Sequence, residues 1–359
     1  MTEPFRIAIV GTGGVARVHA GALASLTAEA ARIVAAVDVD QRRLDAFQAE
    51  FGIPAGYRDL GVMLDEAAPD LVHLCTPPWL HRDQVLTCLR ARVNVLVEKP
   101  PVISLAEFDD LVAAGGAGER PPWFATVFQH RFGSGQRRLK ALVADGTLGR
   151  PLLAICHTTW FRDQAYFDVP WRGQWETEGG GPTMGHGIHQ LDMLTDVLGD
   201  WAEVSAVART LARRTRTEDV SLAHVTFANG AVASVVNSLL SPREESYLRF
   251  DFEHATVEVT HLYGYGDDDW RITPAPGRDL AGRPEPGGIP SGHAAQFREV
   301  LACLRAGRRP PVTAADSRRT LSLVAGIYAA AFSRRPVTPG QLAPGSPFYR
   351  QMNGGTNFA

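Results

Sequence analysis

In the first third of the chain, apolar runs of strand length alternate with longer stretches that carry helical spacing. The runs are 5–10 (FRIAIV), 32–37 (RIVAAV), 71–75 (LVHLC) and 94–97 (NVLV), followed by 123–128 (WFATVF). The helical stretches fall at 14–28, 41–51, 79–91 and 104–114. Nearly continuous apolar strands separated by helices predict a parallel sheet covered on both faces. Pro100, Pro101, Pro121 and Pro122 punctuate its later connections. Beyond about residue 130 the rhythm changes. A helix at 134–145, a strand at 152–160 and a helix at 187–198 lead into successive strand-length pieces at 203–211, 219–227, 231–240, 246–253 and 255–262. Asn229-Gly230 between two of these is a hairpin signal. Successive hairpins predict a largely antiparallel, open-faced sheet. A Pro- and Gly-rich loop at 274–292 and helices at 293–306 and 314–332 follow. The expected fold class is α/β: a doubly wound parallel sheet over 1–128, an α+β domain over 129–335 and a tail over 336–359.

Composition narrows this picture. With 359 residues, 45% hydrophobic and 21% charged, the chain has the size of two globular domains. A net charge of −3 gives no global field for nucleic acid or an anionic membrane. The densest basic cluster, Arg213, Arg214 and Arg216, is short enough to read as a solvated loop. No apolar stretch reaches the roughly 18 residues of a membrane span, and no basic-then-apolar leader precedes FRIAIV. Cys75, Cys88, Cys156 and Cys303 form no C-x-x-C pair, so free thiols, a cytoplasmic location and no metal site are expected. His157, His224, His254 and His261 lie in or beside strand-like runs and read as sheet-surface residues.

The first strand runs into Gly11-Thr-Gly13-Gly14-Val15-Ala16, which opens a helix. This is the G-x-G-x-x-A form of the dinucleotide fingerprint of Rossmann domains. Gly11 permits the tight turn, Gly13 admits a pyrophosphate, and Ala16 lets helix and strand pack closely. Asp38 closes the second strand, 22 positions after Ala16, near the expected interval of about 20. Its carboxylate suits the ribose hydroxyls of NAD and repels a 2′-phosphate. Arg42 and Arg43 leave NADP open, although they read first as exposed first-turn residues of the next helix.

Two segments leave carboxyl ends of predicted parallel strands, where ligands bind in open α/β sheets. One is His73-Leu-Cys-Thr76-Pro77-Pro78-Trp-Leu-His81; the other is Glu98-Lys99-Pro100-Pro101. A later stretch, Trp171-Arg172-Gly173-Gln174-Trp175-Glu176-Thr-Glu178, combines rings, a guanidinium and carboxylates. That set suits a polyhydroxylated ligand, with Trp171 and Arg172 as contacts. Simple loop packing and an Arg172–acid pair are the alternative. Ile188, Leu191, Leu194 and Leu198 form the predicted buried stripe of the following helix, with His189 and Asp192 neighbours on another face.

With GTGGVA, TPPWLH, VEKP and EGGGPTMGHGIHQLDML in this order, the chain resembles the Gfo/Idh/MocA family of oxidoreductases to about residue 335. The resemblance implies that Lys99 sits beside the nicotinamide and assists proton transfer, and that His189 binds or relays at the substrate. Thr76, Pro77, His81, Glu98, Lys99 and Arg43 are then expected at the cofactor, beside the glycine turn. Gln129, His186 and Asp192 are expected at the substrate, with His130 and Arg131 in reach of the same cleft. Many relatives carry Asp or Asn four residues before the histidine, where this chain has Gly185. His186 either substitutes or bonds a helix terminus. The implied activity is NAD(P)-dependent hydride transfer to or from a sugar, inositol or sugar derivative, in a homodimer or homotetramer. Gly185 keeps two alternatives open: glycoside cleavage through transient oxidation, and a non-catalytic cofactor-binding regulator.

Overall fold

Five of the apolar runs and one short strand assemble into a six-stranded parallel sheet in the computed structural model, which describes residues 3–26, 30–116, 118, 122–279 and 287–356. Its strands are β1 (Phe5–Val10), β2 (Ala31–Val37), β3 (Ala55–Tyr57), β4 (Leu71–Leu74), β5 (Asn94–Val97) and β6 (Phe124–Thr126), in the order β3-β2-β1-β4-β5-β6. The order reverses between β1 and β4, the kind of switch point at whose carboxyl strand ends ligands bind in open α/β sheets. β3 and the helix Leu60–Ala67 escaped the sequence reading, because a three-residue Ala-Gly-Tyr strand carries no measurable period. Residues 27–28 of the first predicted helix, Pro121, residues 280–286 of the predicted loop and 357–359 of the tail lie outside the described residues.

The second sheet contains β7 (Pro151–Phe161), β8 (Trp201–Arg209), β9 (Val220–Phe227), β10 (Val232–Ser238), β11 (Leu240–Phe252), β12 (Ala255–His261) and β13 (Trp270–Pro274). Their order is β13-β12-β11-β7-β10-β9-β8. All pairs are antiparallel except β10 with β7. Asn229-Gly230 makes the β9–β10 hairpin, with Gly230 at φ 90°. The helix Ile188–Leu198 packs on β7 and β11. It buries His189, Gln190 and Asp192 as well as the predicted apolar stripe, so it is an interior helix with no solvated face.

By contacts the chain forms two units. The first comprises Met1–Val102, Glu107–Val127 and His293–Ala315; the second comprises Ile103–Ala106, Phe128–Gly292 and Asp316–Ala359. The helix His293–Arg305 therefore belongs with the first sheet, although its sequence position suggested the second domain. Its Phe297, Val300 and Leu301 enter the core formed by Ile7, Ile9, Ala16, Ala20 and Leu96. An apolar stripe reveals a buried face without naming its partner. The tail is tied to the second unit, where Val337 pairs with Val204. Among the described residues, no helix is long and apolar enough to cross a membrane.

Candidate functional site

In the first unit, β1 ends at Val10 and the chain turns through Gly11 at φ +84°. A Cβ at Gly11 would lie 2.9 Å from the Cys75 carbonyl oxygen, so only glycine fits. At Gly13 and Gly14 a Cβ would meet nothing within 4 Å. The chain's own packing therefore does not demand glycine there, and the space stands open to a ligand approaching the backbone. No side chain caps the helix Gly14–Ala24, whose first-turn N–H groups are the kind that bind phosphate. Ala16 is buried in the core and Val15 is half-buried beside it.

Asp38 is fixed at the end of β2. The Thr12 N–H and hydroxyl donate to Oδ2 at 2.9 and 2.7 Å, and the Asp40 N–H donates to Oδ1 at 2.9 Å. Burial pushes its carboxyl up, but these bonds more than offset that and hold it below its ordinary value. Arg43 is exposed and lies 3.6 Å from Asp40.

At the next two strand ends, the Thr76 hydroxyl donates to Gln84 Oε1 at 2.6 Å. His81 is completely buried, with Nδ1 2.9 Å from the Pro100 carbonyl and Nε2 2.8 Å from that of Thr76. This corrects the expectation of a cofactor contact, because both ring nitrogens tie one strand-end loop to the other. The Lys99–Pro100 peptide is cis. Behind Lys99, Glu98 Oε1 lies 2.9 Å from His19 Nε2 and 3.4 Å from His293 Nε2, while Oε2 accepts the Lys99 backbone N–H at 3.1 Å. The His19 and His73 Nδ1 atoms are 3.0 Å apart. His19, Glu98 and His293 bring ligating atoms within 4.8 Å of one another, yet hydrogen bonds alone account for these contacts. Sequence reasoning passed over His19, although its place in the buried stripe Ala16, His19, Ala20 and Leu23 was a visible signal. Nothing in the sequence pairs His293 with a residue 195 positions away.

In the second unit, Asp192 accepts Arg131 Nε and Nη2, both at 2.6 Å, and the Thr320 hydroxyl at 3.0 Å. Arg131 also reaches Asp196 at 2.8 Å. Asp192 and Arg131 are therefore consumed in a buried ion network, which corrects their placement at the substrate. His189 packs against the rings of His130 and Tyr263, at centroid distances of 5.0 and 5.8 Å. Gln129 donates to the Tyr263 hydroxyl at 3.1 Å, and its buried Oε1 has no hydrogen-bond partner among the described residues. His186 meets Trp160 and Tyr166 at 5.3 and 5.7 Å. The Arg172 guanidinium lies between the Tyr166 and Trp171 rings at 4.1 and 4.3 Å, and pairs with Glu178 at 3.0 Å. His261 is also corrected: it is buried, its Nε2 accepts from the Gln190 side-chain N–H at 2.9 Å, and burial pushes its pKa down to about 4.

The glycine run before this helix is explained by packing. A Cβ at Gly180 would lie 2.1 Å from the Tyr328 hydroxyl, and one at Gly181 would lie 2.0 Å from the Glu218 carbonyl. Gly185 differs, because a Cβ there would meet nothing within 4 Å.

A family model described as oxidoreductase family, NAD-binding Rossmann fold, matches residues 5–117, and one described as GFO/IDH/MocA C-terminal domain matches 136–260. The chain is 26% identical to D-apiose dehydrogenase of Paraburkholderia graminis, over 98% of this chain and 94% of that protein. It is 28% identical to D-glucoside 3-dehydrogenase of Escherichia coli, over 73% and 79%. Among solved structures, the WlbA dehydrogenase of Bordetella pertussis, in complex with NADH and UDP-GlcNAcA, superposes with a TM-score of 0.82. That match has 26% identity and covers 94% of this chain and 99% of the other.

Proposed function

The chain belongs to the Gfo/Idh/MocA family of NAD-binding oxidoreductases, and from that premise we propose that it oxidises a hydroxyl of a sugar or sugar derivative, or reduces the matching carbonyl. The observation that carries this reading lies in the first unit. The glycine turn is open at Gly13 and Gly14, and a fixed carboxylate stands at Asp38. Gly11, Gly13, Gly14, Val15 and Ala16 with the adjacent helix terminus would hold the pyrophosphate, and Asp38 the adenosine ribose. The nicotinamide, when bound, supplies the hydride acceptor or donor. Thr76, Pro77 and Glu98 line the strand ends, and Lys99 takes or returns the hydroxyl proton. His189 hydrogen-bonds the substrate. The rings of Trp171 and His186, with Arg172 and the buried Gln129 oxygen, suit the C–H faces and hydroxyls of a sugar. Position 185 provides no carboxylate, so proton transfer rests on Lys99. The dehydrogenase names of the relatives above support a sugar as the substrate class.

Absorbance at 340 nm with NAD or NADP across a panel of aldoses, aldonates and glycosides tests the activity. NADH formation with at least one sugar is expected; none with any sugar contradicts it. Glycoside cleavage without net NADH would instead favour transient oxidation, the alternative that Gly185 leaves open.

Replacing Asp38 with serine is expected to lower the NAD-over-NADP ratio of kcat/KM by about 10- to 100-fold, because ribose bonds are lost and repulsion of a 2′-phosphate is relieved. An unchanged ratio would remove Asp38 from the site.

The chain is further proposed to self-associate through the outer face of its second sheet. Leu153 lies beside Val232, and Leu222 beside Val207, all with exposed apolar side chains. Exposed apolar side chains on one sheet face suit an interface, and a second copy of the chain is the expected occupant. Sedimentation should give a multiple of the single-chain mass, falling to one chain when Leu222 and Val232 are both replaced with arginine. A monomeric parent protein would contradict this. Four free, buried cysteines support placement in a reducing compartment such as the cytoplasm.

A further inference from the structure

We propose that His19 and His293 are positioning residues for Lys99 and act on it through the carboxylate of Glu98, an inference that rests on the reading of Lys99 as the proton-transfer residue. Two imidazoles from separate stretches meet one carboxylate, His19 from the helix Gly14–Ala24 and His293 from the start of the helix His293–Arg305, and a third, His73 from β4, backs His19. All four side chains are buried. The Phe297 ring closes over His19 and His73 at centroid distances of 4.9 and 4.7 Å.

One arrangement of protons satisfies every contact. His19 Nε2–H and His293 Nε2–H donate to Glu98 Oε1, which leaves the His19 Nδ1 lone pair to accept from His73 Nδ1–H. The Lys99 backbone N–H donates to Oε2. His73 thereby sets the tautomer of His19, and His19 and His293 set the plane of the carboxylate that holds the Lys99 main chain. Burial pushes the His19 and His73 rings below their ordinary pKa values, so both are neutral at pH 7. Burial also pushes the Glu98 carboxyl up, but the bonds from His19 and His293 more than offset this and leave it well below its ordinary value. His81 and the Cys75 thiol also lie in electrostatic reach of Glu98.

Apolar side chains would fill this core at least as stably as a buried polar network. What the imidazoles add is orientation, at the residue whose side chain must be held to a fraction of an ångström.

The decisive pair is His19→Gln and His19→Asn. Both are neutral amides, but only glutamine reaches far enough to place an N–H where His19 Nε2 stands. His19→Gln should keep kcat within about threefold, whereas His19→Asn and His293→Leu should lower it by about tenfold or more. NAD affinity should stay within about twofold in all three. In the impaired variants the acid limb of the kcat–pH profile should move upward, because Glu98 protonates closer to neutrality once its donors are gone. Equal activity and pH profiles for the glutamine and asparagine variants, with Lys99→Ala inactive, would overturn the inference. An active Lys99→Ala would instead overturn the reading beneath it. Stoichiometric metal in the purified protein, with activity lost on chelation, would overturn the inference in favour of a His19–Glu98–His293 metal centre.

Discussion

Replacing Lys99 with alanine is expected to lower turnover by about 10²- to 10⁴-fold while NAD still binds, the range that positioned acid–base catalysis contributes. Oxidising an alcohol releases the hydroxyl proton as the hydride departs, and reducing a carbonyl builds charge on an oxygen. A lysine at the carboxyl end of β5 can serve either demand. Its backbone is held by Glu98 through a bond that survives loss of the side chain. The glycine turn and Asp38 lie on other strands, at the ends of β1 and β2. Affinity and turnover should therefore separate. Lys99→Arg should be nearly as inactive, since a guanidinium keeps its proton throughout the accessible pH range. Steady-state kinetics beside a fluorescence titration of NAD checks both variants, and turnover within a few-fold of the parent would remove Lys99 from the mechanism.

Replacing Arg131 with methionine is expected to cost about 3–5 kcal/mol of stability, the usual penalty for breaking a buried ion pair from one side. Arg131 binds both oxygens of Asp192 at 2.6 Å and one of Asp196 at 2.8 Å, and its side chain is almost wholly buried. Asp196 would keep Lys140 and Gln136. Among the described residues, Asp192 would keep the Thr320 hydroxyl as its side-chain donor. Urea denaturation followed by circular dichroism measures the loss. A change below about 1 kcal/mol, the range of exposed pairs, would contradict the role assigned to this network. NAD affinity of the folded fraction should not change.

These two residues mark where the sequence was legible and where it was not. β1, β2, β4 and β5 are buried on both faces, so each reads as a continuous apolar run, and the turn after β1 obeys local backbone rules. Asp38 follows from its interval after the glycine turn and its place at the end of β2. The E-K-P segment could be placed at a strand end for the same reason. Partnerships across the chain carried no such signal. Asp192 looked available because its partner lies 61 positions away, and His19, His73 and His293 looked unrelated because three separate elements carry them into one network with Glu98. His81 was drawn towards the ligand by its neighbours in TPPWLH, whereas two carbonyls decide its orientation. The helix His293–Arg305 was misplaced because periodicity shows that a face is buried without showing which sheet covers it.

Direct transfer of a carbon-bound hydrogen from sugar to nicotinamide is the central claim, and isotope labelling tests it most directly. The protein is incubated with NAD and a panel of carbon-deuterated aldoses and glycosides, and the nicotinamide is read by mass spectrometry. At least one sugar should yield NADH one mass unit heavier than the unlabelled form, in proportion to the oxidised sugar. No label from any sugar, with NAD bound throughout, would contradict the account.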